Sequence, residues 1–83
     1  MLPLLIKFED LESLSLHGNR LKNLPKDMSE LKNLAELDIS NNLFIDINDL
    51  AESLKSLPGL THLIMNFKSH QEENFIRNSL PRL

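Results

Sequence analysis

Residues 11–25 read LESLSLHGNRLKNLP, residues 34–48 read LAELDISNNLFIDIN, and residues 60–74 read LTHLIMNFKSHQEEN. Each stretch opens on a leucine, with further apolar residues three and five positions later. These opening leucines, and a fourth at the end of the chain, are separated by 23, 26 and 23 residues: Leu11, Leu34, Leu60 and Leu83. A period of about 20–29 residues indicates a repeat architecture whose units bury their apolar faces by stacking.

Apolar and polar residues alternate at the centre of each stretch, which predicts a short half-buried strand. The inward positions are Leu14, Leu16, Leu37, Ile39, Leu63 and Met65. The outward positions are Ser13, Ser15, Glu36, Asp38, His62 and Ile64. Stacking three such strands in parallel aligns these outward residues in two columns, Ser13–Glu36–His62 and Ser15–Asp38–Ile64, and predicts a third column of His17, Ser40 and Asn66.

The turn after each strand carries an asparagine in two of the three stretches. Asn19 and Asn42 occupy equivalent positions, and the third stretch has Lys68 there. A short amide side chain can bond backbone groups that the turn leaves without sheet partners, so the asparagines predict a ladder of hydrogen bonds. The third turn must be built differently.

The segments that return to the next strand supply the rest of the predicted core. The first return places Leu21, Leu24, Met28 and Leu31 at three- and four-residue spacing, with Pro25 favouring an extended or turned start. The second return predicts a helix that is capped by Asp49 and ended by Pro58 and Gly59. Its apolar stripe consists of Leu50, Ala51, Leu54 and Leu57.

A last helix is predicted over residues 71–80. Phe75, Ile76 and Leu80 would face inward, and Glu72 and Glu73 would occupy the first turn, where carboxylates favour the positive end of the helix dipole. An acidic docking patch is the weaker alternative for this pair.

The stretch LESLSLHGNRLKNLPKDMSELKNL resembles the 23-residue class of intracellular leucine-rich repeats. The segments NNLFIDINDLAESLKSLPGL and NSLPRL are similar to the closing repeats of cytosolic proteins of the phosphatase-1 regulator and outer-arm dynein light chain type. The resemblance implies an α/β solenoid, with a short parallel sheet on the concave face and helices and irregular turns on the convex face. We expect one domain over 1–83, with a partial repeat at 1–10, repeats at 11–33, 34–59 and 60–83, and membership of a longer array.

Composition excludes several function classes. The 83 residues carry a net charge of −3, whereas a nucleic-acid binder needs a surplus of Lys and Arg. The chain contains no cysteine and no Asn-x-Ser/Thr triplet, which favours a reducing, cytoplasmic compartment. The start MLPLLI is too short for a secretion signal, and no segment approaches the roughly 20 apolar residues that span a bilayer.

The predicted function is a non-catalytic protein-interaction module that works within a larger cytosolic, cytoskeletal or cilium-associated assembly. The candidate partner-binding residues are Ser13, Ser15, Glu36, Asp38, His62, Ile64 and Phe67. Phe67 could equally fill the turn core that Lys68 leaves open. The partners expected are proteins, with no nucleic acid, membrane, small-molecule substrate or cofactor.

Metal binding and catalysis are two further hypotheses, and the sequence supports them less well. His17, Asp38 and His62 lie on a diagonal of the sheet, where neighbours stand about 7–8 Å apart, too far for shared metal ligation at about 2 Å. No nucleophile is paired with a base, so catalysis is not predicted. The open alternatives are a regulatory or targeting segment of a larger enzyme, such as a phosphatase or kinase assembly, and a structural spacer. Because apolar residues stand at both ends, we expect a longer protein or a partner that covers them.

Overall fold

A computed structural model describes residues 10–83 and contains three strands and two helices. The strands are β1 (Ser13–Ser15), β2 (Glu36–Asp38) and β3 (His62–Ile64), and the helices are α1 (Ile47–Lys55) and α2 (His70–Ser79). The segment between β1 and β2 forms no helix, α1 connects β2 to β3, and α2 follows β3. The predicted partial repeat over residues 1–10, including Leu5 and Phe8, lies outside the described residues except for Asp10.

The three strands form one parallel sheet in the order β1-β2-β3. Ser13 pairs with Glu36, which pairs with His62, and the neighbouring column joins Ser15, Asp38 and Ile64. Both predicted columns are therefore confirmed. The register follows from the repeat period, because a one-residue slip would turn every leucine of a strand towards solvent.

The core lies behind the sheet and is formed mainly by leucines and isoleucines of β2, the two returns and the two helices. Its buried members are Leu24, Leu34, Leu37, Ile39, Leu50, Ala51, Leu54, Leu57, Leu60, Ile76 and Leu80. The other inward strand residues predicted from sequence are half-buried and pack against this cluster: Leu14, Leu16, Leu63 and Met65. Burial is therefore deepest in the middle strand, which has a neighbour on both sides.

The irregular return between β1 and β2 is held by serines of the helical return beside it. The hydroxyl of Ser53, a buried residue of α1, donates to the carbonyl of Leu24 at 3.3 Å. The Ser56 hydroxyl accepts from the Met28 amide at 2.7 Å and donates to the Ser53 carbonyl at 2.6 Å. These contacts satisfy backbone groups that a helix would have satisfied internally.

Helix α1 confirms the predicted helical return, but its cap differs from the prediction. Asp46, not Asp49, is the N-cap, because its side chain accepts from the amides of Asn48 and Asp49. Asp49 lies in the first turn, where its charge favours the helix dipole. The helix ends at Lys55 with Ser56 as C-cap, before Pro58 and Gly59.

Helix α2 begins at His70, one residue before the predicted start, with Ser69 as its N-cap. Ile76 and Leu80 are buried as predicted, and α2 packs against α1. The inward placement of Phe75 is wrong, because its side chain is 38% exposed whereas that of Ile76 is fully buried. Adjacent residues of a helix point about 100° apart, so only one of the two can face the core.

Candidate functional site: the groove over the sheet

A groove of about 610 Å³ lies over the outer side of the sheet. It is lined by the six residues of the two outward columns, by the backbone between them, and by three residues from outside the strands. The lining side chains from the columns are Ser13, Ser15, Glu36, Asp38, His62 and Ile64. The structure therefore brings together six of the seven predicted partner-binding residues. We call these six residues the sheet face.

The sheet face combines acidic, neutral and apolar groups in a small area. Five of its six side chains are exposed, and Asp38 is half-buried. Ile64 is 58% exposed, although it is a large aliphatic residue on a strand. Asp38 of β2 pairs directly with Ile64, and Glu36, two residues before Asp38 on the same strand, pairs with His62. Apolar surface rimmed by polar residues is found at protein-interaction sites, and the sheet face has this arrangement on a small scale.

Phe67, the seventh predicted contact, does not lie in this groove. It is half-buried, packs against the core, and lines a smaller cleft of about 120 Å³ with Phe44, Ile47 and Met65. The packing role left open by the sequence is therefore the one that its contacts support.

Asp38 is tied to the strand exit by Ser40. Its Oδ1 accepts from the Ser40 hydroxyl at 2.6 Å and from the Ser40 amide at 2.9 Å. These two hydrogen bonds, the hydroxyl's first, lower the pKa of the Asp38 carboxyl from its ordinary value, because both stabilise the ionised form. The carboxylate is therefore ionised throughout the neutral range.

The predicted asparagine ladder is formed by Asn42. Its Oδ1 accepts from the amides of Asn19 and Leu21 at 3.0 and 2.9 Å. Its Nδ2 donates to the carbonyls of Leu16, Ile39 and Ser40, at 2.8, 3.0 and 3.1 Å. Asn42 thus joins the turn after β2 to the turn after β1. The Asn19 side chain is exposed and forms no such bonds to the residues the structure describes.

The turn after β3 is built differently, as Lys68 predicts. The Lys68 amide donates to Glu72 Oε1 at 3.0 Å, and the Ser69 hydroxyl accepts from the Glu72 amide at 3.1 Å. This exchange resembles a capping box, and it starts α2 within the turn that follows β3. The confirmed first-turn position of Glu72 and Glu73 places two carboxylates at this helix end.

Sequence reasoning missed three residues of the groove: Thr61, Arg77 and Leu83. Arg77 comes from α2, where its guanidinium pairs with Glu73 at 3.0 Å, so only the packing of α2 brings it to the sheet. Thr61 directly precedes β3, where strict alternation would place it on the side of Leu63, so the strand pattern did not predict it.

Two exposed apolar residues outside the groove were also missed. Leu43 is 51% exposed and Ile45 is 75% exposed, on either side of the half-buried Phe44. The sequence signal for their exposure is the run Leu43-Phe44-Ile45 after β2, because alternation allows only the middle residue to face inward.

Neither a metal cluster nor a membrane span is found in the part of the chain that the structure describes. Over residues 10–83, no group of three or more His, Asp or Glu side chains is arranged to hold a metal ion. No helix in the same range is long and apolar enough to cross a membrane.

Comparison with known proteins identifies the same repeats. The sequence profile of the leucine rich repeat matches residues 9–68, which contain all three strands and α1. The chain belongs to the leucine-rich repeat family. The short parallel sheet with helices behind it fits that fold, and the family is in general one of non-catalytic protein-interaction modules.

One curated relative is an enzyme. An adenylate cyclase of Schizosaccharomyces pombe (strain 972 / ATCC 24843) is 35% identical over 85 aligned positions, which cover 88% of this leucine-rich repeat chain. The chain spans only 5% of the length of that cyclase. No solved structure matches the chain.

Proposed function

We propose that the chain is a protein-interaction module that binds its partner through the groove over the sheet. The observation that carries the proposal is the exposure of Ile64 beside Glu36 and Asp38 on one face. Ile64 is 58% exposed, so a partner that covers it removes apolar surface from water, which favours binding. The flanking carboxylates give that contact its polar specificity.

The sheet also gives this face a fixed shape. Its three strands are paired in register, and the middle strand is backed by the fully buried core residues Leu37 and Ile39. A rigid scaffold reduces the loss of conformational entropy that opposes binding. We further propose a cytoplasmic setting, supported by the absence of cysteine, and a larger cytosolic or cytoskeletal assembly of the phosphatase-1 regulator or dynein light chain type, supported by the resemblance of the closing repeats.

The test is affinity capture followed by direct titration of each captured protein against purified chain. The variant Glu36→Lys/Ile64→Ser changes the sheet face without touching Asp38, whose carboxylate holds Ser40. We expect at least tenfold weaker binding, because removing a central apolar contact and reversing a charge are each costly at an interface.

A matched control carries the same two chemical changes elsewhere. Glu30→Lys/Ile45→Ser also alters one exposed carboxylate and one exposed isoleucine, and gives the same net charge. It should bind as tightly as the unchanged chain. Loss of binding in this control, with the sheet-face variant unaffected, would assign the contact to another surface.

A second candidate function is that the repeats form a regulatory or targeting segment of a larger enzyme, such as a phosphatase or kinase assembly. The similarity to an adenylate cyclase, of which the matched region is a small part, favours this alternative. Sequencing the full transcript decides it. A catalytic domain in the same reading frame supports the enzyme segment, and its absence leaves the separate module.

A further inference from the structure

Four side chains form a continuous polar network at the exit of β1 and β2. Ser40 Oγ lies 2.6 Å from Asp38 Oδ1 and 2.7 Å from His17 Nδ1. The other ring nitrogen, His17 Nε2, lies 3.5 Å from Asn41 Nδ2. The network therefore links two neighbouring repeats through one imidazole.

The positions of the protons in this network follow from the donors available. An ionised carboxylate only accepts hydrogen bonds, so the single Ser40 hydroxyl proton points at Asp38. Ser40 Oγ can then only accept from His17, so Nδ1 must carry the ring proton. The lone pair of the neutral imidazole therefore lies on Nε2.

The Nε2 atom is available to a second molecule. His17 is exposed, and its contact to the exposed Asn41 amide is at the outer limit of a hydrogen bond. The ring stands in the third column, directly beyond Ser15 at the end of β1. A partner lying along the sheet face would reach it.

We propose that His17 is a specificity-determining contact of the sheet face, held as its Nδ1–H tautomer by Ser40 and Asp38 so that Nε2 accepts a hydrogen bond from a partner. The partner group is an N–H or O–H donor, such as a backbone amide or a hydroxyl. This proposal rests on the proposed function, since it assumes that the partner lies on the sheet face. It adds that the partner must present a hydrogen-bond donor at the exit of β1.

The first experiment reads the tautomer in the free chain. Long-range proton–nitrogen correlation spectra of the ¹⁵N-labelled chain, recorded where the rings are neutral, distinguish the protonated ring nitrogen from the other one. We expect protonated Nδ1 for His17. His70, exposed on α2, is the internal reference and should show the Nε2–H form that free histidine favours. Nε2–H at His17 overturns the proposal.

The variant Ser40→Ala tests the cause of the tautomer. It removes the acceptor for Nδ1, so the His17 signals should shift to the pattern of His70. Ser40→Thr keeps the hydroxyl and should retain the Nδ1–H form. Backbone spectra of both variants confirm that the sheet is intact. Retention of Nδ1–H in a folded Ser40→Ala variant contradicts the role of Ser40.

The second experiment measures the contact itself. Peptides are selected on the intact chain from a random displayed library, and those that lose binding to Glu36→Lys/Ile64→Ser are kept as probes. We expect His17→Phe to weaken these peptides about fivefold, the value of one hydrogen bond between neutral groups. Unchanged affinity for all of them overturns the contact role of His17.

The two proposals fail in different ways. If no selected peptide depends on the sheet face, the proposed function is wrong, and the contact role of His17 is wrong with it. If such peptides exist but His17 is the Nε2–H tautomer, only the present inference is wrong.

Discussion

The turn after β2 and the turn after β3 perform the same task with different chemistry. In the first, one amide side chain, Asn42, bonds five backbone groups drawn from two repeats. In the second, the Lys68 amide and the Ser69 hydroxyl exchange bonds with Glu72. Position 42 joins its repeat to the preceding one, whereas position 68 helps to start a helix, and the third turn is joined to the second by Asn66, whose Oδ1 accepts from the Asn41 amide at 2.7 Å.

The backbone shows why the two turns diverge. Gly18 and Asn41 occupy equivalent positions in the first two turns and adopt φ of 71° and 55°. This left-handed conformation favours Gly and Asn. Phe67 takes the equivalent position in the third turn and is not among the described residues with positive φ. A bulky side chain there changes the path of the turn, so the asparagine arrangement cannot form.

The largest effect is expected at Asn42. Asn42→Ala leaves five backbone groups without this partner, four of them in residues that are buried or half-buried, and we expect the free energy of unfolding to fall by about 2–3 kcal/mol. Urea unfolding followed by circular dichroism measures it. Asn19→Ala is the matched control, since Asn19 has the same repeat position but an exposed side chain, and it should cost less than about 0.5 kcal/mol. Equal losses in the two variants would contradict the assignment of the ladder to Asn42.

A smaller effect is expected at Ser69, in the other turn. Ser69→Ala removes the N-cap of α2 and should lower the free energy of unfolding by about 1 kcal/mol. Asp46→Ala removes the N-cap of α1 and should cost a similar amount. Amide exchange at Glu72 and Glu73 locates the loss. Faster exchange should be confined to the start of α2 in the Ser69 variant, and exchange that also accelerates in the sheet would show that Ser69 supports more than its own helix.

The sequence predicted the sheet register because alternation and repeat spacing depend on the strand alone. Leu14, Leu37 and Leu63 define which side of each strand is buried, and the columns follow. The difference between Asn19 and Asn42 was not predictable in this way. Asn42 bonds groups of the preceding turn, including the Leu16 carbonyl, so its role depends on a neighbour in space.

The same distinction explains the wrong N-cap predicted for α1. Asp46, Asn48 and Asp49 are all residue types that cap helices, and only the tertiary path of the chain selects Asp46. Within the groove, the column residues were predictable from periodicity. Arg77 was not, because its position depends on how α2 packs against α1.

The smallest effect is expected from restoring the asparagine in the third turn. Lys68→Asn recreates the repeat motif, yet we expect the free energy of unfolding to change by less than about 0.5 kcal/mol. The Lys68 amide already bonds Glu72, and the left-handed residue that precedes Asn42 has no counterpart in Phe67. The double variant Phe67→Gly/Lys68→Asn supplies both features, at the cost of the packing that Phe67 contributes. Chemical denaturation of the single variant is the measurement, and a gain above about 1 kcal/mol would show that residue 68 alone determines how the turn is built, against the role assigned to Phe67.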